Sequence, residues 1–404
     1  MYPEAHSVVP RQDASVRPND LLPVVAPLPA DAVLLHIGVH KTGTTAIQAA
    51  FADARTVLRS MGVTYPGKLQ AQHRAALVAL GRRWGWNDRG GVSFPRAEYD
   101  DIVEQARSAR GRVVVSSEFW CEADESTARR VVADFGGPRV HIVLTLRNLA
   151  DLLPSSYQQY LKYGLERDYD EWLSDILTGP GLASPTFWRR HDHGAVVQRW
   201  VEAVSPDRVS VIVLEEVDRS AVFRTFAQLV GINEDVLVSR MDLTSNRSMT
   251  AAEAELLLGV NREVRQRLTW PEYSQYVRRG VALGIVEGRE PAADEPRLRT
   301  PQWALDAAAE ASARNVAAIE SSGVRVIGDV ALLGRRATAI PESSASEILL
   351  PTRAAVLAVI ATLDASLAES RKPVPARELL RQLLRRGRAK AARLVRVGLR
   401  RRPA

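Results

Sequence analysis

Residues 34–45, LLHIGVHKTGTT, run from an apolar strand into a short polar loop, with a lysine, a glycine and two threonines placed where a helix should begin. A strand over residues 33–37 carries the loop to the edge of a sheet. A helix from about Thr44 then turns its unpaired amide N–H groups and the positive end of its dipole toward the loop. Such a loop is a cradle for an anion. Gly43 lets a backbone come close without a Cβ in the way, Lys41 supplies a mobile charge, and Thr44 and Thr45 add hydroxyl donors, with Thr42 inside the same cradle. The plainer alternative is a polar strand-to-helix turn with threonine as its cap.

Working outward, β-rich runs at 33–37, 113–116, 140–146 and 209–214 alternate with helical patterns near 44–60, 123–135, 151–163, 194–204 and 217–230, and residues 63–65 offer a further strand. Continuous apolar strands separated by helices predict an α/β fold, a parallel β-sheet flanked by helices on both faces. From about Ser248 the alternation gives way to helical patterns near 250–268, 302–319 and 346–369, which predicts a helical C-terminal extension. The expected organisation is a loose, Pro-rich leader over 1–30, the α/β domain over 31–245, a helical extension over 246–370 and a basic amphipathic tail over 371–404.

A second segment matches the first. Residues 140–164, VHIVLTLRNLADLLPSSYQQYLKYG, again form an apolar strand that ends in Arg147 and passes into a helix. Arg147 falls where a parallel strand's carboxyl end opens onto the ligand crevice, and Ser155 lies about two turns into the helix. Together they can grip a second phosphate. Alternatively, Arg147 caps its strand and pairs with Asp151; Ser156 is the neighbouring serine, and Pro154 sits unusually inside the helix.

The loop is not a Walker A sequence, because its lysine precedes the glycine by two positions. Lys-Thr-Gly-Thr-Thr instead resembles the 5′-phosphosulfate loop of the bacterial sulfotransferases that use 3′-phosphoadenylyl sulfate (PAPS), and strand–Arg147–Ser155, followed by Tyr157, resembles their 3′-phosphate motif. The resemblance covers residues 32–231 as architecture and implies a P-loop-kinase-like sheet that binds PAPS across its strand ends. Asn246, Arg247 and Ser248 before a helix ending near Asn261 look like the segment following the core in bacterial members; capping by Ser248 or Thr250 is the simpler account.

Sulfuryl transfer needs a cation on the departing oxygen and a base for the acceptor's proton. Lys41 is the natural cation. For the base, the strand VVVSSE ends in Glu118, between the two motifs and at a place where many sulfotransferases carry a catalytic histidine; a helix-start carboxylate or surface ion pair is the alternative. His40 and His73 are rival bases or acceptor-binding groups. His36, on the strand, should be packed, and His191 and His193 should be surface or acceptor-loop residues, because their spacing suits no shared helical metal site. Trp84, Trp86, Trp120, Phe187 and Trp188 either line an acceptor pocket or fill the core. No metal is expected.

Composition bounds the rest. The 404 residues are 46% apolar, and no run is long enough to span a bilayer. A single cysteine, Cys121, leaves no internal disulfide or zinc framework, which fits a reducing cytoplasm, and the first thirty residues lack the pattern of a secretion signal. Residues 371–404 hold thirteen Lys or Arg against one Glu, so this tail sets the positive net charge of +7. Leucines recur among those arginines near helical spacing, which suits a peripheral helix on an anionic membrane surface as well as a solvated tail. Nucleic acid is not expected, since no aromatic residue interleaves the arginines.

The function expected is therefore sulfuryl transfer from PAPS to a hydroxyl of a carbohydrate or glycoconjugate. Two alternatives stand beside it: a nucleotide or small-molecule kinase, disfavoured by the lysine's position, and a catalytically inactive, membrane-associated PAPS-binding protein. Neither the acceptor nor the oligomeric state is encoded in any recognisable signature.

Overall fold

The computed structural model describes residues 25–215, 218–241, 247–339 and 350–370. Residues 1–24 of the expected leader, Asn246 and the basic tail over 371–404 lie outside the described residues.

Six strands form one all-parallel sheet: β1 (Val33–Gly38), β2 (Val63–Thr64), β3 (Arg112–Ser116), β4 (Val140–Leu146), β5 (Val209–Val213) and β6 (Arg325–Ile327), in the spatial order β2-β3-β1-β4-β5-β6. The α/β class with flanking helices and a helical C-terminal region is as the sequence pattern indicates. Between β1 and β2 run α1 (Thr44–Asp53) and α2 (Arg55–Ser60), interrupted at Ala54; α3 (His73–Ala79) and α4 (Ala97–Ser108) lead to β3. A 3₁₀ turn, Glu118–Glu122, and α5 (Glu125–Asp134) lead to β4. Then come α6 (Leu149–Leu161), α7 (Tyr169–Leu177), α8 (Phe187–His191) and α9 (His193–Val204) before β5. Beyond it lie α10 (Ala221–Val230), α11 (Asp235–Val238), α12 (Ala251–Val264), α13 (Trp270–Tyr273), a π-helix over Ser274–Leu283, α14 (Gly284–Gly288) and α15 (Gln302–Ser321). α16 (Ala331–Gly334) and α17 (Thr352–Ser370) follow β6.

The strands are apolar throughout because both faces are covered. Val33, Leu35 and Ile37 of β1 enter one core with α3, α5 and α9, while Leu34 joins Ile47, Phe51 and Phe226 on the other side. Each such fully buried aliphatic side chain contributes roughly 1.5–3 kcal/mol. A third cluster, built on Trp172, Trp270 and Tyr273, joins α6 and α7 to the C-terminal helices.

Two expectations are corrected. Residues 25–30 are not loose: Leu28 donates its amide to Leu229 O at 2.9 Å, and Val25 and Leu28 are buried against α10. The region beyond Ser248 is not helical alone, since β6 returns to pair with β5 at the sheet edge. At three residues, with Arg325 exposed, β6 is too short to show a period-two pattern.

β1 lies between β3 and β4, and this is where the order of strand addition reverses. In open parallel sheets the crevice outside the carboxyl ends at such a switch point is where ligands bind. The ends of β1, β3 and β4 lead directly to Lys41, Glu118 and Arg147.

Candidate functional site

A cavity of about 1200 Å³ opens over those three strand ends. His40, Lys41, Gly43, Thr44, Thr45, His73, Glu118, Arg147 and Ser155 all line it, so the residues singled out from two distant motifs and the strand between them meet in one place.

The loop is held by specific contacts. Val39 donates its amide to Thr145 O at 2.9 Å, and the Thr42 hydroxyl donates to Val39 O at 2.7 Å while lying 2.7 Å from the Thr145 hydroxyl. The Thr42 hydroxyl therefore faces the sheet and ties the loop to β4. Lys41 and Gly43 both have positive φ, 67° and 74°, a conformation that strains any residue except glycine. Gly43 is the N-cap of α1, with no side-chain cap bond. Among the described residues, the amides of Gly43, Thr44 and Thr45 donate to no backbone carbonyl, which leaves them for an anion at the helix start.

Lys41 has its pKa lowered, first by burial and then by the positive charge of Arg147, with Glu118 opposing. The two cations thus share one electrostatic neighbourhood. Arg147 Nε lies 3.8 Å from Asp151 Oδ2, the weak contact considered as its alternative role, and the guanidinium still lines the cavity. Of the two serines, Ser155 reaches the cavity, whereas Ser156 is buried with its hydroxyl 3.3 Å from His191 Nε2. α6 runs unbroken through Pro154. Tyr157 is packed away, its hydroxyl donating to Arg167 O at 3.1 Å.

Glu118 starts the 3₁₀ turn after β3. Gln48 donates to its Oε2 at 3.1 Å, and His73 Nε2 lies 3.7 Å from the same oxygen, while His73 Nδ1 is 2.8 Å from the Ser117 hydroxyl. Burial works against the Glu118 charge, but His73, His40, a backbone amide and Gln48 outweigh it and hold the carboxyl down at about 2. His40 sits behind this pair. Its Nε2 is 3.3 Å from Glu122 Oε1, and burial first, then Arg190, keeps the ring well below the ordinary histidine range and hence neutral. Glu122, fully buried, is also held by Arg190 at 2.9 Å and by Arg82.

The opposite wall comes from elements the sequence reading left unassigned. Lys162, Tyr163, Arg190, Arg265 and Arg278 face the cavity beside Trp84 and Trp86. Arg278, from the π-helix, lies over the rings of Trp84 and Tyr163 at 5.6 and 5.1 Å, and Arg265 lies over Trp86 at 3.6 Å. Lys162 and Tyr163 could have been noted as the end of the helix that carries Ser155; nothing local marks Arg278. Trp120 and Phe187 are core, and Trp188 anchors α8 by donating to Ile176 O.

His191 and His193 are not at the surface, a second correction. Both are almost fully buried, and burial lowers His191 well below its ordinary value and His193 to about 4. They serve the packing of α8 and α9, where Asn315 of α15 accepts from the Gly194 amide at 3.0 Å. Cys121 is buried and its thiol is pushed up by burial to about 12. Among the described residues, no group of three His, Cys, Asp or Glu is arranged to hold a metal ion, and no helix is long and apolar enough to cross a membrane.

Compared with family models, with curated proteins and with solved structures, the chain finds no match.

Proposed function

We propose that this cavity is the site of a PAPS-dependent sulfotransferase acting on a hydroxyl of a carbohydrate or glycoconjugate. One observation carries the reading. Lys41, in the loop between β1 and α1, and Arg147, just past the end of the adjacent strand β4, open on one cavity, close enough for the charge of one to depress the pKa of the other. Two cations and a row of unpaired amides fit a ligand with phosphate at two places.

In this reading the amides of Gly43, Thr44 and Thr45, with the hydroxyls of Thr44 and Thr45, hold the 5′ end of the donor, and Arg147 with Ser155 holds its 3′-phosphate. PAPS supplies the sulfuryl group, its S–O bond to the bridging phosphate oxygen breaking as an S–O bond to the acceptor oxygen forms. Lys41 neutralises the charge left on the bridging oxygen. His73 and Glu118 act as a unit: the proton of the acceptor hydroxyl passes to the imidazole, and the carboxylate stabilises the resulting charge. A carboxyl held near 2 is a poor proton acceptor but a good partner for a cationic ring. His40, neutral and buried against Glu122, supports this pair from behind.

Binding of adenosine 3′,5′-bisphosphate tests the reading by thermal shift, since a ligand that binds only the folded form raises the midpoint. It should stabilise the protein more than adenosine 5′-phosphate does, and Arg147→Ala should remove most of that difference. Equal effects of the two nucleotides on both proteins would overturn the assignment. Transfer of label from PAPS, and not from ATP, separates this reading from a kinase.

We further propose that the chain works at the inner face of the cytoplasmic membrane, held peripherally on anionic lipid by its basic C-terminal region. An apolar stripe on α17, formed by Val356, Val359, Ile360, Leu363 and Leu367, is exposed just before that region and supports the attachment.

A further inference from the structure

The cavity holds more positive charge than the donor cradle accounts for. Lys162, at the C-terminal end of α6, and Arg278, on the π-helix, belong to neither phosphate motif, yet both line the same cavity. Among the described residues neither forms a salt bridge, and Arg278 Nε is buried without a hydrogen-bond partner. Burial and the charges of Lys41, Arg278 and Arg247 bring the Lys162 ammonium down to about 8, with Glu287 opposing. Two such cations held together and partly desolvated cost free energy unless an anion completes the group. An aromatic surface lies beside them. Trp84 and Tyr163 meet edge to face at 5.8 Å under the Arg278 guanidinium, and the charge of Glu118 is felt at Tyr163. The cationic and aromatic wall therefore adjoins the reacting end of the site.

Resting on the sulfotransferase reading above, we infer that the acceptor is itself an anion: a ring bearing a carboxylate or sulfate ester, lying beside Trp84 and Tyr163, with its negative group between Lys162 and Arg278 and its free hydroxyl toward His73. Charge-assisted bonds from an ammonium and a guanidinium select such a ring over a neutral sugar. The flanking aromatic residues carry no charge, so discrimination falls to the two cations.

The test uses the full chain saturated with adenosine 3′,5′-bisphosphate and measures binding of three probes by calorimetry: p-nitrophenyl β-D-glucuronide, p-nitrophenyl β-D-galactoside 6-sulfate and neutral p-nitrophenyl β-D-galactoside. At least one anionic probe should bind about tenfold or more tightly than the neutral one, the two anionic arms separating carboxylate from sulfate. In the double variant Lys162→Met, Arg278→Met that advantage should vanish, while PAPS still competes with labelled adenosine 3′,5′-bisphosphate as well as in the parent. Equal binding of charged and neutral probes, or binding of none, overturns the inference and leaves the donor site standing. A loss of PAPS affinity in the double variant also overturns it, because the two cations would then belong to the donor. Failure of adenosine 3′,5′-bisphosphate to bind the parent protein would instead defeat the sulfotransferase reading itself.

Discussion

At Gly38 there is no room for a side chain, and the group that occupies the space is Glu118. A Cβ built on Gly38 would lie 2.7 Å from Glu118 Cβ and 2.9 Å from its Cα, and the residue's φ of +81° disfavours any L side chain. Alanine there must push the 3₁₀ turn away from the loop and with it the carboxylate that faces His73. Gly38→Ala should therefore lower turnover strongly while adenosine 3′,5′-bisphosphate, held on the other side of the loop, still binds; unchanged turnover would show that the position of Glu118 does not matter. Glu118→Gln keeps the shape and removes the charge, so a loss of about 10²- to 10⁴-fold in kcat with little change in donor affinity is expected. Turnover at the parent rate in the Glu118→Gln variant would be incompatible with the His73–Glu118 unit. Lys41, Glu118 and Arg147 were legible in the sequence because each follows the end of a strand, and strand ends of a parallel sheet converge whatever the details of packing. Lys162 and Arg278 were not, because 116 positions separate them and only the placement of Arg278 over Trp84 and Tyr163 brings their charges together.

The elements of the central sheet are joined by one buried ring. His36 of β1 has its Nδ1 2.8 Å from the Ser116 hydroxyl at the end of β3 and its Nε2 3.3 Å from the Thr145 hydroxyl of β4, and Phe226 meets it in a T-shaped contact at 4.9 Å. Burial lowers its pKa from 6.5 to about 4, with the Glu118 charge opposing. The sign follows from proton uptake: between those values the unfolded chain binds a proton that the folded ring refuses, so its contribution to stability is complete above pH 6.5 and is lost as pH falls toward 4. His193, also held near 4, adds to the same window. The loss is on the order of a few kcal/mol per ring. Urea midpoints measured from pH 7 to pH 4.5 should fall steadily, and His36→Asn should flatten part of the slope; a midpoint independent of pH across this range would contradict the buried neutral ring. The packing of His36 was expected from its place in an apolar strand, and β1, β3, β4 and β5 were found for the same reason. β6 and the burial of His191 and His193 were missed. A three-residue strand carries no periodicity, and a polar stretch such as RRHDHG gives no sign that another helix will cover it.

For the molecule as a whole, charge and apolar surface are gathered toward its C-terminal end. The tail over 371–404 carries a local balance of +12, which leaves about −5 for everything before it. α17, which precedes it, packs closely on the π-helix and α14 through Gly280 and Gly284: a Cβ on Gly284 would come within 2.4 Å of Ala361 Cβ. Its other side exposes residues spaced 3, 1, 3 and 4 apart from Val356 to Leu367, with Val359 61% and Leu363 58% accessible. Such spacing places them along one helical stripe. An apolar stripe followed by a polybasic segment matches an anionic bilayer at both the hydrocarbon boundary and the headgroups, where each basic residue near the surface contributes about 1 kcal/mol at low salt. Full-length protein should therefore sediment with vesicles containing phosphatidylserine, release as salt is raised, and ignore vesicles of phosphatidylcholine alone. Deleting residues 371–404 should abolish that sedimentation while turnover of a soluble acceptor is unchanged, because among the described residues none that lines the cavity lies beyond Gly328. If the truncated chain binds vesicles as well as the parent does, or if the parent merely dimerises through α17 without binding lipid, the attachment is wrong and the stripe belongs to a contact between protein chains.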